Sequence, residues 1–473
     1  MVKGKVLLVN PPYVEHVYSG KLSRNAIAIN IPLGLAYLGA VLEKNQIPVQ
    51  AVDANVLALS VKETARRILK SDAKYIFITS TTNTITRIYE IIKLVKKYSD
   101  RVIVIGGPHA TFAPNETIKE SKDVDIVVRS EGEYTALDIA MGKPLSEIDG
   151  ITYRNDEKEI IKNKPRARIE NLDELPIPAR HLFPHKLYRP GAFFNTGVKN
   201  NQAITMLTSR GCPNLCTYCS SVHFWGTKVR FRSAQNIVNE VEYLMKTYDT
   251  KQIAILDDMF TAHIPRLKEF CNIIIEKKIK VRWWCYSRVT ALNKNLMALM
   301  KKAGCYALNF GIESGNEEVI KRIKKNITKE KAWEVFSAAK ELDILIHASF
   351  MVGLPGDTRD TVMDTINWAI KLNPHVPLFC ITTPFPGTEL YFEALEKGWM
   401  DHIKSWDDAG LHMKTKYHND DLSAEDIYEL YKLAQKKFFY RPQFFWTTFK
   451  RLIRHPNEIK GYLYSGIYML TET

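Results

Sequence analysis

Residues 210–219 read Arg210-Gly211-Cys212-Pro213-Asn214-Leu215-Cys216-Thr217-Tyr218-Cys219, three cysteines spaced C-x3-C-x2-C. Gly, Pro and Asn give this loop the turn chemistry to fold three thiolates toward one centre. Three cysteines can hold three irons of a cubane 4Fe–4S cluster and leave the fourth iron open, whereas electron-transfer clusters generally take four. An open iron suits a cluster that binds a substrate, by the same logic as the open position on a catalytic metal. Structural zinc with His223 as fourth ligand is the weaker alternative, because such sites normally come as two paired halves.

The loop directly follows the apolar run Ile204–Thr208, the first of six strand patterns. The others are Ile253–Leu256, Val281–Tyr286, Ala307–Gly311, Ile346–Val352 and Leu378–Thr382. Helical patterns separate them, for example Asn236–Lys246, Lys329–Glu341 and Thr358–Lys371. Six such units predict an incomplete parallel barrel, open on one side, with its chemistry at the carboxyl ends of the strands.

Working outward, residues 1–145 show a second alternation. Strand patterns at Val6–Val9, Val49–Val52, Tyr75–Thr79, Val102–Ile105 and Ile126–Val128 enclose helical ones at Leu33–Glu43, Val61–Lys70 and Ile85–Lys97. This predicts an α/β domain of flavodoxin-like or Rossmann-like type, binding its ligand beyond the strand ends. The segments at those ends are Asn10-Pro11-Pro12-Tyr13, Ser80-Thr81-Thr82-Asn83, Gly106-Gly107-Pro108-His109 and Ser130-Glu131-Gly132-Glu133. Ordinary turn chemistry explains each alone, but four on one edge favour a ligand crevice. Residues 146–198 read as a connector, with a hairpin around Asn155-Asp156 and then Leu175-Pro176-Ile177-Pro178, Pro184 and Pro190. The barrel is expected over 199–415 and a basic, aromatic extension over 416–473.

The 473 residues are 45% hydrophobic and 25% charged, ordinary for a globular protein. The start shows no signal-peptide pattern, and the uncharged stretch Ala26–Leu42 is broken by Asn30, Pro32, Gly34 and Gly39. A loop leading into a helix near Pro32 is the better reading than a membrane span. Seven cysteines, an odd number, fit a reducing cytoplasm better than a disulfide framework. Cys271, Cys285, Cys305 and Cys380 share no ligand spacing and read as core.

The net charge of +14 is concentrated at one end: residues 432–460 carry eight Lys or Arg and one acid, Glu458. Phe438, Phe439, Tyr440, Phe444, Phe445, Trp446 and Phe449 lie in the same stretch. A helical cap on the barrel, a membrane or lipid contact, and single-stranded nucleic acid remain open, the last being the least favoured.

The cysteine spacing with Tyr218 before the last cysteine resembles the signature of radical S-adenosylmethionine (SAM) enzymes. The resemblance continues at Leu256-Asp257-Asp258-Met259-Phe260, Gly311-Ile312-Glu313-Ser314-Gly315, Gly353-Leu354-Pro355-Gly356 and Pro384-Phe385-Pro386-Gly387-Thr388. It implies cluster ligation by Cys212, Cys216 and Cys219, and SAM contacts from Tyr218, Asp257, Asp258, Arg288, Glu313, Ser314, Gly353 and Pro355. The segment Pro32-Leu33-Gly34-Leu35-Ala36-Tyr37-Leu38, the Gly-Gly-Pro-His loop and the Leu-Pro-Ile-Pro connector are similar to the cobalamin-binding subgroup. In that subgroup Pro12, Ser80, Thr81, Thr82, Asn83, Gly106, Gly107, His109, Glu131 and Gly132 would line the cobalamin site.

Two departures matter. Asp-x-His-x-x-Gly is absent, which implies cobalamin with its own base displaced and no histidine beneath, His109 being a minor candidate. The Gly-Gly-Glu of many relatives is replaced by Asp257-Asp258, leaving open which carboxylate meets the SAM ammonium. No cysteine precedes Cys212, which argues against the methylthiotransferase branch.

The implied chemistry is reductive cleavage of SAM to a 5′-deoxyadenosyl radical, hydrogen abstraction from an unactivated carbon and methylation from methylcobalamin. A flavodoxin or ferredoxin would serve as reductant, and a small molecule or lipid as substrate. A cobalamin-dependent cyclase or rearrangement enzyme, and a non-catalytic corrinoid and iron–sulfur sensor, are the alternatives. The expected location is the cytoplasm, with peripheral contact at the inner face of the membrane open.

Overall fold

The computed structural model describes residues 4–13, 28–189, 191, 203–408 and 415–463. They form two compact units. One holds the described residues 4–13 and 29–189, the other residues 28, 191, 203–408 and 415–463.

The first unit is built on strands β1 (Val6–Asn10), β2 (Val49–Asp53), β3 (Tyr75–Thr79), β4 (Val102–Gly106), β5 (Ile126–Val128), β6 (Ile151–Arg154) and β7 (Ile160–Lys162). The first five are parallel in the order β2-β1-β3-β4-β5, the flavodoxin-like arrangement. Their runs are nearly all apolar, as expected of parallel strands covered on both faces. Val6 and Leu8 on β1, Phe77 on β3 and Val104 on β4 share a core with Leu35 and Ala36 of helix α1 (Leu33–Lys44). Helix α2 (Val61–Lys70) begins at a reciprocal cap between Ser60 and Glu63, and α3 (Ile85–Lys96) buries Ile85, Ile88, Ile91, Ile92 and Val95 along one stripe.

The connector expected over 146–198 is corrected by the structure. Its hairpin is β6–β7, and β6 pairs antiparallel with β5, so it closes the edge that β5 would otherwise expose. The proline-containing chain that follows packs back on the same unit. Glu131 accepts from Ile169 N at 2.9 Å, Ala179 N donates to Ala36 O at 2.9 Å, and Phe183 and Tyr188 are buried. The boundary therefore falls at Arg189, because buried apolar side chains, not proline stiffness, decide the path. Pro190 and residues 192–202 lie outside the described residues.

The second unit contains the six expected strands, β8 (Ala203–Met206), β9 (Gln252–Ile255), β10 (Arg282–Ser287), β11 (Cys305–Glu313), β12 (Leu345–Val352) and β13 (Val376–Ile381). They are all parallel and ordered as in the sequence, so β8 and β13 form the two edges of an open barrel. Helices α4 (Ala234–Tyr248), α5 (Lys329–Glu341) and α6 (Arg359–Leu372) cover its outside, each started by a Ser or Thr cap: Ser233, Thr328 and Thr358. Cys271, Cys285 and Cys305 are core residues, and Cys380 is partly buried. The extension adds α7 (Ala424–Phe439) and α8 (Pro442–Arg454), whose Ile427, Leu430, Ala434, Phe438 and Phe444 join the barrel core. No described helix is long and apolar enough to cross a membrane.

Two glycines separate backbone requirement from mere tolerance. At Gly107 φ is +96°, and a Cβ would lie 2.6 Å from Ser80 O; at Gly34, inside α1, a Cβ would meet nothing within 4 Å. Gly107→Ala is expected to destabilise the first unit by about 2 kcal/mol, and Gly34→Ala to stabilise it by about 0.5 kcal/mol, read as opposite shifts in thermal unfolding.

Candidate active site

The cysteine loop is set by its approach. Thr208 and Ser209 follow β8, and Asp257, just beyond β9, draws them in: its carboxylate accepts from Thr208 N, Thr208 Oγ1 and Ser209 Oγ, each at 2.5 Å. Asp257 is fully buried, and its charge is met by Arg266 at 3.8 Å. Arg266 in turn donates to Thr208 O at 2.9 Å and Phe260 O at 3.1 Å. Gly211 then turns the chain at φ +109°, where a Cβ would lie 2.7 Å from Lys228 O. Cys212 N bonds Gly226 O at 3.2 Å and Cys219 N bonds Cys216 O at 3.1 Å, which curls the loop on itself.

Donors surround the thiols. Asn214 Nδ2 is 3.5 Å from Cys212 Sγ, and Arg288 Nη1 is 3.7 Å from Cys216 Sγ. Burial foremost, with Asp258 and the two other thiols adding, pushes the Cys219 thiol up to about 11, so a cationic centre is what would hold it as thiolate. No three His, Cys, Asp or Glu side chains among the described residues gather tightly enough for a single metal ion. What the structure shows at the thiols is a set of protein donors, Asn214 at Cys212 and Arg288 at Cys216, and hydrogen bonds to sulfur are how a protein supports a thiolate-bound iron–sulfur cluster.

Tyr218 carries the site across the barrel. Its hydroxyl donates to Glu313 Oε1 at 3.0 Å, and Lys325 Nζ lies 2.8 Å from that oxygen and 3.0 Å from the hydroxyl. Glu313 and Lys325 are both buried, and Glu313 sits at φ +67°, a strained value that this three-way contact holds. Burial and the Glu313 charge raise the Tyr218 hydroxyl well above its ordinary value, so it stays a donor. The same loop anchors Arg288, which donates to Lys325 O.

The expected SAM residues thus divide. Asp258 bonds Ser221 and keeps contact with solvent, although protein on most sides pushes its carboxyl up to about 6. Ser314 is buried and bonds Thr365 at 3.0 Å. Gly353 and Pro355 are buried in a loop held by Asp357, which accepts from Gly353 N and Leu354 N at 3.0 and 2.8 Å. Sequence reasoning missed the braces on that loop from the extension: Tyr417 donates to Gly353 O at 3.0 Å and Asn419 to Leu354 O at 2.9 Å. It also missed Lys325, which sits in a lysine-rich run that reads as a solvated face.

In the first unit the loops expected to hold cobalamin do converge. Ser80 Oγ donates to Gly106 O at 2.8 Å, and His109 Nδ1 lies 3.3 Å from Thr82 Oγ1. Burial lowers His109 to about 4, so its ring is neutral. Pro12, Ser80, Thr82, His109 and Glu131 are buried, whereas Thr81, Asn83, Gly106, Gly107 and Gly132 reach the surface. The absence of a Cβ at Gly107 lets its loop pack directly on the backbone of Ser80. Asp53, unmarked in the sequence reading, joins this edge by accepting from Asn10 at 2.9 Å and Tyr188 at 2.6 Å.

The adjacent carboxylates should separate by experiment. Asp257→Asn is expected to lower stability by roughly 3 kcal/mol, the scale of a broken buried charge pair, and to reduce cluster content after anaerobic reconstitution. Asp258→Asn is expected to leave both unchanged and to weaken SAM binding, measured by equilibrium dialysis.

Comparison with known proteins agrees with this geometry. The Radical SAM superfamily profile matches residues 206–369, and the B12 binding domain profile matches residues 24–140. The chain is 33% identical to the uncharacterized methyltransferase PH0819 of Pyrococcus horikoshii, over 93% of each chain. It is 27% identical to the anaerobic magnesium-protoporphyrin IX monomethyl ester cyclase of Rubrivivax gelatinosus, over 83% of this chain and 70% of that one. Its fold matches the radical SAM methyltransferase TsrM of Kitasatospora setae, solved with cobalamin and a 4Fe–4S cluster, with a TM-score of 0.68 and 19% identity over 84% and 75% of the two chains. The chain belongs to the radical SAM superfamily, among the enzymes that carry an N-terminal B12 binding domain.

Proposed function

We propose that this enzyme methylates an unactivated carbon of a small-molecule or lipid-like substrate. The observation that carries the reading is the three-thiol loop clamped by Asp257 beside the buried Tyr218–Glu313–Lys325 contact. When bound, the 4Fe–4S cluster, SAM and cobalamin supply reductive formation of a 5′-deoxyadenosyl radical and a transferable methyl group. The protein's tasks are to orient these groups and to exclude side reactions.

Cys212, Cys216 and Cys219 hold the cluster, and Asn214 and Arg288 support their thiolates. Asp258 accepts from the SAM ammonium, since all the short bonds of Asp257 are internal. Tyr218, Glu313, Gly353 and Pro355 shape the remaining SAM contacts, with Ser314 and Lys325 acting behind them. In the first unit Thr81, Asn83, Gly106, Gly107 and Gly132 face cobalamin, while Pro12, Ser80, Thr82, His109 and Glu131 fix the loops that present them. A flavodoxin or ferredoxin delivers the electron in the cytoplasm, and residues 432–460 give a peripheral membrane contact.

A cyclase is the second reading, favoured by the likeness to the Rubrivivax enzyme. Products distinguish them. Reduced, reconstituted enzyme with methyl-labelled SAM and an extract of small molecules and lipids from a strain lacking the gene is expected to label one acceptor. It should release one S-adenosylhomocysteine and one 5′-deoxyadenosine per methylation. 5′-Deoxyadenosine without S-adenosylhomocysteine or label transfer would support cyclisation, and the absence of all three would support a non-catalytic sensor.

A further inference from the structure

Helix α8 presents two unlike faces. Toward the barrel, Arg451 is buried and paired with Glu458 at 2.7 Å, and it lies 3.6 Å from Asp343, which His455 also reaches at 2.9 Å. Arg441, just before the helix, donates to Ile370 O at 2.8 Å and Asn373 Oδ1 at 2.5 Å. Asp343 precedes β12 and Asn373 precedes β13, so α8 is fastened to the amino-terminal end of the barrel. The cysteine loop lies at the other end, about 25 Å away for a strand of this length.

Away from the barrel, Phe445, Trp446, Phe449 and Ile453 are 60%, 57%, 54% and 66% exposed, at the i, i+3, i+4 spacing of one helical stripe. Tyr440, Ile459 and Leu463 extend the exposed apolar surface on either side. Lys436, Lys437, Lys450, Arg454 and Lys460 are exposed around it, and the one acid of the segment, Glu458, is buried against Arg451. An apolar stripe edged by exposed cations complements an anionic lipid surface. Nucleic acid fits less well: Trp446 stacks on Phe449 at 6.0 Å and Lys450 lies over the same indole at 4.8 Å, so the ring faces already carry neighbours.

We infer that the exposed face of α8 docks this enzyme on an anionic membrane through the amino-terminal end of the barrel, leaving the end that carries the cysteine loop turned away from the bilayer. The anchor is thereby separate from the chemistry, which deepens the membrane contact proposed above without depending on which substrate is methylated.

The test uses full-length, cluster-loaded protein, sedimented anaerobically with vesicles of phosphatidylcholine with or without phosphatidylglycerol. Salt-sensitive binding to the anionic vesicles is expected. The triple variant Phe445→Ser, Trp446→Ser, Phe449→Ser and the double variant Lys450→Glu, Arg454→Glu should each lose on the order of tenfold in binding. Both should keep wild-type cluster content and wild-type 5′-deoxyadenosine formation from SAM. The inference is overturned by equal binding to both vesicle types, by undiminished binding of the variants, or by loss of 5′-deoxyadenosine formation in them. A wild-type dimer that the triple variant converts to monomer would assign the face to a second copy. Displacement of vesicles by a single-stranded oligonucleotide would assign it to nucleic acid.

Discussion

The barrel site hangs on one buried carboxylate. Asp257 lies just beyond β9 yet takes its bonds from the residues that leave β8, so two adjacent strands are tied at the point where the cysteine loop departs. A buried carboxylate is costly unless it is paired and fully bonded. Here three short bonds and Arg266 meet that requirement, and Arg266 spends its other donors on the same segment. Each charged hydrogen bond contributes about 2 kcal/mol. The loop is thereby fixed at its base before any cofactor binds.

From that base the site spreads by a chain of buried polar contacts. Tyr218 lies one residue before Cys219, so placing the thiols also places its hydroxyl against Glu313 and Lys325. Lys325 closes on Glu313, and its backbone oxygen receives Arg288, which returns to Cys216. Glu313 of β11, Arg288 just beyond β10, and Lys325 between β11 and α5 are thus coupled to the cysteine loop. A change in one alters the donors around the thiolates, the setting by which a protein tunes a cluster.

Much of this was legible in the sequence because its signals are periodic or spaced. Strand–helix alternation gave both sheets, and the C-x3-C-x2-C loop fell at the end of a strand as expected. What escaped had no local signature. Lys325 lies among lysines that look solvated, and only the tertiary fold buries it. Tyr417 and Asn419 are more than sixty residues from the loop that they brace. Asp257 and Asp258 are neighbours of one type, yet the alternation of a strand end sends one inward and the other toward solvent. The connector misled for a related reason: proline spacing suggested an extended link, but the unpaired edge of β5 and the apolar Phe183 and Tyr188 pulled it onto the sheet.

The proposed chemistry requires that the three thiols hold a cluster with one iron open to SAM. Electron paramagnetic resonance of the reduced, reconstituted enzyme tests it directly, comparing spectra before and after SAM is added. A cluster signal whose g-values shift with SAM is expected, with a shift that weakens in Asp258→Asn. A signal indifferent to SAM, or no cluster signal in protein loaded with iron and sulfide, would contradict it.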